Sequence, residues 1–352
     1  MARRVQGALV EMTFARVREF LREPEALFWV FVFPVLLSMV LGIAFRNRGE
    51  ESVRIGVQEG PGADAVAAAL EEDERTVAVR IAPEDVDDEL RDGSVAVLIV
   101  PADPTEPDAE VVYRFDPVRT ESRYARLLAS DVLERAAGRD DRVRSRDLVT
   151  SQVGRRYIDF LIPGLLGLNL LGSGMWGIGF AIVQMRQKKL LKRFVATPMR
   201  KSDFLLSLFF SRMVFLIPEI AAIVGAGHLI FGVPVRGSLF ALFVVSFLGS
   251  LSFCGMGALC ASRVQTVEGA SGLLNLVMMP MWLFSGVFFS VKNFPEVMHP
   301  FLEALPLTAV NDALRALMLD GAGFFDVLPE IGLALLWGVI PFAIALRVFR
   351  WK

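Results

Sequence analysis

The chain is poor in residues that carry redox, metal or nucleophilic chemistry. It has 2 cysteines and 2 histidines among its 352 residues. Both cysteines, Cys254 and Cys260, fall in one apolar run, so no disulfide framework or zinc spacing is available to the polar region. His228 and His299 belong to no His-Glu-x-x-His motif, and the Gly-x-x-x-x-Gly-Lys-Ser/Thr phosphate loop is missing as well. The chain is therefore not expected to hydrolyse ATP itself.

Apolar length is abundant. Hydrophobic residues make up 54% of the chain and the mean hydropathy is +0.49. Several runs exceed the ~18 apolar residues that cross a hydrocarbon core, which predicts a polytopic α-helical membrane protein with six transmembrane helices. The first span is Ala26 to Phe45, with Pro34 as its kink; it is too long for a signal-peptide core and lacks a small-residue cleavage site. Tyr157 to Met185 and Phe204 to Phe231 are the second and third spans, each about 42 Å long at ~1.5 Å per residue, so both should protrude from the bilayer core. The fourth is Ser238 to Ala261, the fifth Gly269 to Phe289, and the sixth is centred on Ile331 to Leu346. The segment 290–330 is too apolar for an open loop and too broken for a span. It reads as re-entrant short helices before the last span.

Charge divides the chain. Arg46 to Arg156 carry 17 basic and 25 acidic side chains, a net of −8, whereas the remainder carries 20 and 14, a net of +6. An acidic soluble domain is thus inserted into a basic membrane body. Val53 to Gln58, Thr76 to Ala82, Ser94 to Val100 and Ala109 to Phe115 read as strands, and Ala63 to Glu72, Glu84 to Arg91 and Thr120 to Ala137 as helices. That order is a βαβαββα module, an inserted α/β extracytoplasmic domain. The predicted organisation is an amphipathic helix over 1–25, a first span over 26–45, the α/β domain over 46–156, and a five-span membrane domain over 157–352.

Two stretches read as interfacial. In Met1 to Arg22, Val10, Phe14, Val17 and Leu21 form an apolar stripe against a polar one of Arg4, Glu11, Arg18 and Arg22, as in an N-terminal amphipathic helix on the inner leaflet. The loop 186–203 carries most of a stretch from Met185 to Asp203 with seven basic residues and one acid; Leu190, Leu191, Phe194 and Val195 recur there at helical spacing, and Pro198 ends the helix. Ser262 to Glu268 is a second, shorter connection on the same side. Excluding the acidic module, 16 basic residues fall at positions on the side of these loops against three on the other (Arg236, Lys292 and Arg315), which places both termini in the cytoplasm.

Within the spans, Glu219 is the deepest ionisable residue, with Arg212 seven residues earlier on nearly the same face. It suits a substrate path or proton coupling, or an ion pair that locks helices. Asn169, Asn275 and His228 suit interhelical hydrogen bonds. Met278, Phe284 and Phe288 belong to an apolar surface fitting either packing or a translocation lining. Gly269-Ala270-Ser271-Gly272 is similar to the Gly-x-Ser-Gly of rhomboid intramembrane proteases, but the sixth span has no histidine to serve as base, so close helix packing is the favoured reading.

Several stretches together carry a wider resemblance. These are Tyr157-Ile158-Asp159-Phe160-Leu161-Ile162-Pro163-Gly164, Arg193-Phe194-Val195-Ala196-Thr197-Pro198-Met199, the run from Pro280 to Phe289, and Pro306-Leu307-Thr308 leading to Ala313-Leu314-Arg315-Ala316 and Gly321. In this order the chain resembles the type-2 exporter permeases of the ATP-binding-cassette superfamily, in the bacterial drug-export-like branch with a large outer domain after the first span. The resemblance implies a permease of the bacterial inner membrane that moves a hydrophobic or amphipathic molecule, drug or lipid, outward. It implies a cytosolic ATPase subunit as partner and a second permease protomer, together with membrane lipids and no nucleic acid. ATP and Mg would be held on that partner, with no cofactor bound by this chain. Lys188, Lys189, Lys192 and Arg193 match the coupling helix, and Arg263 and Glu268 a minor contact. Asn169, Glu219, Asn275, Met278, Phe284 and Phe288 are candidates for the translocation path. A non-transporting membrane scaffold that binds a partner through the α/β domain is the alternative. A proton-coupled transporter using Glu219 would call for an inverted repeat, which the sequence lacks.

Overall fold

The computed structural model describes residues 2–44, 52–102, 110–139, 156–195 and 201–349. The loop around Pro104 and Pro107, the Thr197-Pro198 break and the basic residues Arg350 and Lys352 lie outside the described residues. The chain forms two compact units, one of Met1–Asn47 with Ser151–Lys352 and one of Arg48–Thr150.

The smaller unit is an α/β module. Strands β1 (Val53–Gln58), β2 (Thr76–Ile81), β3 (Val97–Val100) and β4 (Val112–Arg114) form one sheet in the order β2-β1-β3-β4. β1 runs parallel to β2 and β3, with Ile55 opposite Ala78 and Val97, and β4 is antiparallel to β3. Alternation of the strand residues gives each face its own core. Ile55, Val57, Val97 and Ile99 pack with Leu70 and with Ala125, Leu128 and Val132, while Leu98 on the other face meets Ile81, Val86 and Val95. The helices here, numbered after those of the N-terminal segment, are α4 (Ala63–Glu71), α5 (Val86–Asp92) and α6 (Thr120–Ala136). β3 begins three residues later than the predicted Ser94. Gly93, at φ 71°, closes α5, and Ser94 Oγ still donates to the Glu89 carbonyl at 2.9 Å.

The larger unit is helical, and its described residues include six helices long and apolar enough to cross a membrane. α1 (Ala2–Leu21) precedes the first of them, Pro24–Ala44, which consists of α2 (Pro24–Leu27), a π-helical turn over Phe28–Val32, and α3 (Phe33–Ala44). The second span is the 31-residue α7 (Tyr157–Gln187), followed by the short α8 (Leu190–Val195). The third, predicted as one helix, is two: α9 (Lys201–Val214) and α10 (Leu216–Phe231). Pro218 has no N–H for the Val214 carbonyl, so the ladder breaks at Phe215. α11 (Leu239–Ala261) is the fourth span and α12 (Val267–Phe284) the fifth. α12 stops five residues short of the predicted Phe289, capped at Ser285 ahead of Gly286 at φ 70°.

α11 is the central helix, and close approach is built into its sequence. A Cβ on Gly257 would lie 2.7 Å from the Met175 carbonyl oxygen of α7. One on Gly255 would lie 2.7 Å from the Gly338 carbonyl of the last span, α15 (Leu328–Val348). Small residues thus let three helix backbones meet in a body where lipid tails offer no solvent to exclude. Between the fifth and sixth spans come α13 (His299–Glu303) and α14 (Pro306–Arg315). α14 buries Leu307, Val310 and Leu314, and the Asn311 amide donates to the Ser285 carbonyl at 2.9 Å.

Candidate functional site

The site begins with a missing donor. In an α-helix the Val30 carbonyl would accept from residue 34, but Pro34 has no N–H. The first span widens into its π-helical turn over Phe28–Val32 just before that residue, and the Asn169 side-chain amide of α7 donates to Val30 O at 3.2 Å. The same amide reaches Glu219 Oε1 at 3.3 Å. Arg212 Nη2 donates to Glu219 Oε2 and to Ser173 Oγ, and Ser173 Oγ donates to the Asn169 carbonyl at 2.6 Å. The break at Phe215 sets the last turn of α9 against the first turn of α10, which brings Arg212 and Glu219 together. Glu219 is fully buried and Arg212 is 8% exposed, so each charge is held by the other.

A cavity of about 990 Å³ opens beside this network. One face of α7 forms its floor through residues three or four apart: Leu165, Asn169, Ser173, Trp176, Phe180 and Gln184. The first span closes another side with Trp29 and Phe33, the third with Arg212 and Phe215, and α1 contributes Arg16 and Phe20. The Phe20 and Phe215 rings pack at a 42° tilt with centroids 4.3 Å apart.

The predicted path residues have different places. Asn169 and Phe288 line the cavity, and the Phe288 carbonyl accepts from Tyr157 Oη at 3.1 Å. Glu219 lies behind Arg212, outside the lining. Met278 is fully buried in the core with Leu274 and Met281. Asn275 is exposed on α12 beside Leu276 and Met279, and Phe284 packs edge-on against Phe294 at 5.6 Å. His228 Nδ1 pairs with the Val233 carbonyl at 3.0 Å. Ser271 donates to the Val267 carbonyl within its own helix.

At the loop end of the bundle, Lys188, Lys189, Lys192 and Arg193 are all exposed. Lys189 adopts φ 58°, which turns the chain sharply after α7, and Leu191 of α8 is buried among Ile182, Val183, Phe204 and Leu205. One side of α8 is anchored and its basic residues face out. Arg263 and Glu268 are exposed on the neighbouring loop. Arg186, which sequence reasoning missed, joins the two loops. It donates to the carbonyls of Ala261 and Ser262, each at 3.0 Å, and to that of Val264. It also lies 5.8 Å from the Phe349 ring centroid, at the end of the last span. At the opposite end, Arg315 stacks on Phe160 at 3.8 Å and donates to the Gly286 carbonyl, tying α14 to the second span and to the turn that follows the fifth.

Comparison with known proteins agrees with this architecture. The chain is 25% identical over 168 residues to the probable multidrug ABC transporter permease YbhS of Escherichia coli (strain K12), covering 46% of this chain and 43% of that protein. It is 24% identical over 180 residues to the linearmycin resistance permease protein LnrN of Bacillus subtilis (strain 168), covering 50% and 46% respectively. It is 28% identical over 170 residues to ABC transporter G family member 20 of Dictyostelium discoideum, covering 48% of this chain and 23% of that protein. The chain thus spans less than half the length of each of these relatives. Residues 24–347 match the family described as ABC-2 family transporter protein, and the chain belongs to that family.

Proposed function

We propose that the chain is the membrane permease subunit of an exporter driven by a separate ATPase, with a hydrophobic or amphipathic cargo. The observation that carries this reading is the Arg186 clamp beside the exposed basic side of α8. A partner pressing on Lys188, Lys189, Lys192 and Arg193 pushes α8, whose buried Leu191 passes the load to α7 and α9. Arg186 passes it to the carbonyls that end α11. Two loops and three spans then move as one body, which is what a lever between an ATPase and a membrane cavity requires. ATP and its Mg²⁺ belong to the partner; this chain supplies the docking surface and the lever.

In this reading the basic loops and both termini face the cytoplasm of a bacterial inner membrane, and the α/β unit faces outward. The segment over 290–330 closes the outer end as re-entrant helices, and two copies of the chain assemble. The cargo class is supported by the aromatic side chains of the cavity and by the names of two relatives, a probable multidrug permease and a linearmycin resistance permease.

The test is purification of the tagged chain from its native membrane in mild detergent. A cytosolic ATPase is expected at stoichiometric yield, and it should be lost from Lys189→Glu/Arg193→Glu while membrane insertion persists. Recovery without any ATPase, repeated after cross-linking, contradicts the proposal and favours a scaffold.

A further inference from the structure

The cavity beside Arg212 has an uncommon combination of shape and polarity. Its α7 lining runs from Leu165 to Gln184, about 28 Å at ~1.5 Å per residue, close to the depth of a hydrocarbon core. Its walls carry eight aromatic side chains, among them Trp29, Phe33, Trp176, Phe180 and Phe215. Two lining residues are glycines, Gly172 and Gly177, and a Cβ at either would meet nothing within 4 Å. These glycines serve no helix contact; they leave the groove empty.

One polar side chain of the lining, that of Arg212, has donors to spare. Arg212 is more than nine-tenths buried, and its hydrogen bonds to described residues, to Ser173 and Glu219, are all made by Nη2, which leaves Nη1 to donate elsewhere. Its charge is already matched by Glu219. An anionic ligand group would add a second negative charge next to that carboxylate, whereas an uncharged carbonyl would accept from Nη1 without disturbing the pair. At the α1 end, Arg16, Glu19, Glu23 and Gln184 line the cavity with both signs of charge, which suits an uncharged or zwitterionic head.

We infer that the cavity binds, within a single protomer, an elongated amphiphile bearing an ester or amide. Its apolar chain lies along α7 and its carbonyl accepts from Arg212. The inference rests on the cavity and is independent of export; an occupant drawn from the bilayer and one drawn from cargo share this chemistry.

The experiment uses the full chain in nanodiscs of ether-linked phosphatidylcholine. The probe is a sixteen-carbon monoacylglycerol with a mid-chain diazirine, compared with the matching diazirine alkane. Light should attach the ester probe to peptides holding Asn169 to Trp176 and Trp29 to Phe33, at least about tenfold above the alkane, a difference of about 1.4 kcal/mol in affinity. Gly172→Phe should remove this labelling. Gly332→Phe, at an exposed glycine of α15 with equally open space, should not. Should Gly172→Phe fail to fold, Gly177→Leu gives the same reading. Displacement when ester phosphatidylcholine replaces the ether lipid assigns the occupant to the bilayer, and displacement only by unlabelled monoacylglycerol assigns it to cargo; either supports the site. Equal labelling by ester and alkane, or labelling that survives filling of the glycine groove, overturns it. Retained binding of an ATPase with no ester labelling would leave the export reading standing and this site refuted.

Discussion

The Asn169 amide stands 3.2 Å from the Val30 carbonyl, the acceptor that Pro34 deprives of its helical donor. A proline in one span and an asparagine in the next are therefore a single feature. Asn169→Leu is expected to cost about 1 kcal/mol, the usual worth of an interhelical hydrogen bond. In a Pro34→Ala background the cost should shrink, because an alanine at that position brings back an N–H for Val30. Thermal unfolding of the four proteins in detergent measures that coupling, and strictly additive losses would contradict it.

Arg212 and Glu219 make a sharper case. Removing one partner leaves a buried charge, so Arg212→Ala or Glu219→Ala should each destabilise by about 3–5 kcal/mol. Replacing both, as Arg212→Met with Glu219→Leu, should recover most of the loss. A double variant no more stable than the singles would show that the pair is not the source of the effect.

Packing around α11 gives a third expectation. Gly257→Leu drives its side chain into the Met175 carbonyl and should abolish recovery of a folded, monodisperse protein. Gly272→Leu, where a Cβ meets nothing within 4 Å, should be tolerated within about 0.5 kcal/mol. Size-exclusion profiles of the two variants decide this.

The module formed by residues 48–150 carries a pH signature. Arg75 clasps Asp73 through its backbone N–H and Nε, each at 2.9 Å, and through Nη2 at 2.6 Å, holding that carboxyl at about 2 instead of 3.8. A depressed folded-state value stabilises above the unfolded value and is lost as pH falls from about 4 through about 2. Solvent screening limits the contribution to about 0.5–1 kcal/mol. Hydrogen-exchange protection of Thr76–Ile81 should be higher in wild type than in Asp73→Asn at pH 6, and the two should converge near pH 2.

Much of this fold is legible in the sequence because its signals are local. Strand alternation at Val53 to Gln58 and the long apolar run from Tyr157 announce themselves without tertiary context. The third span is less transparent, since Pro218 in an apolar run marks a kink or a break equally well, and packing decides which. The candidate site is legible in parts. Asn169, Glu219 and Phe288 stand out as polar or aromatic residues in spans, but their partners lie many residues away. Arg186 is hidden for a different reason: among seven basic residues it has the same composition signal as its exposed neighbours. Only the fold shows it turned inward, donating to the carbonyls that end α11.

The most direct test is transport in inside-out vesicles containing this chain and the ATPase proposed as its partner, using a fluorescent amphiphile. ATP-dependent accumulation is expected in wild type. In Arg186→Ala, ATPase binding should persist while accumulation falls at least about tenfold, because the loops no longer move with the spans. Unchanged accumulation in Arg186→Ala, or ATP-dependent accumulation in vesicles lacking this chain, would contradict the lever and the export it drives.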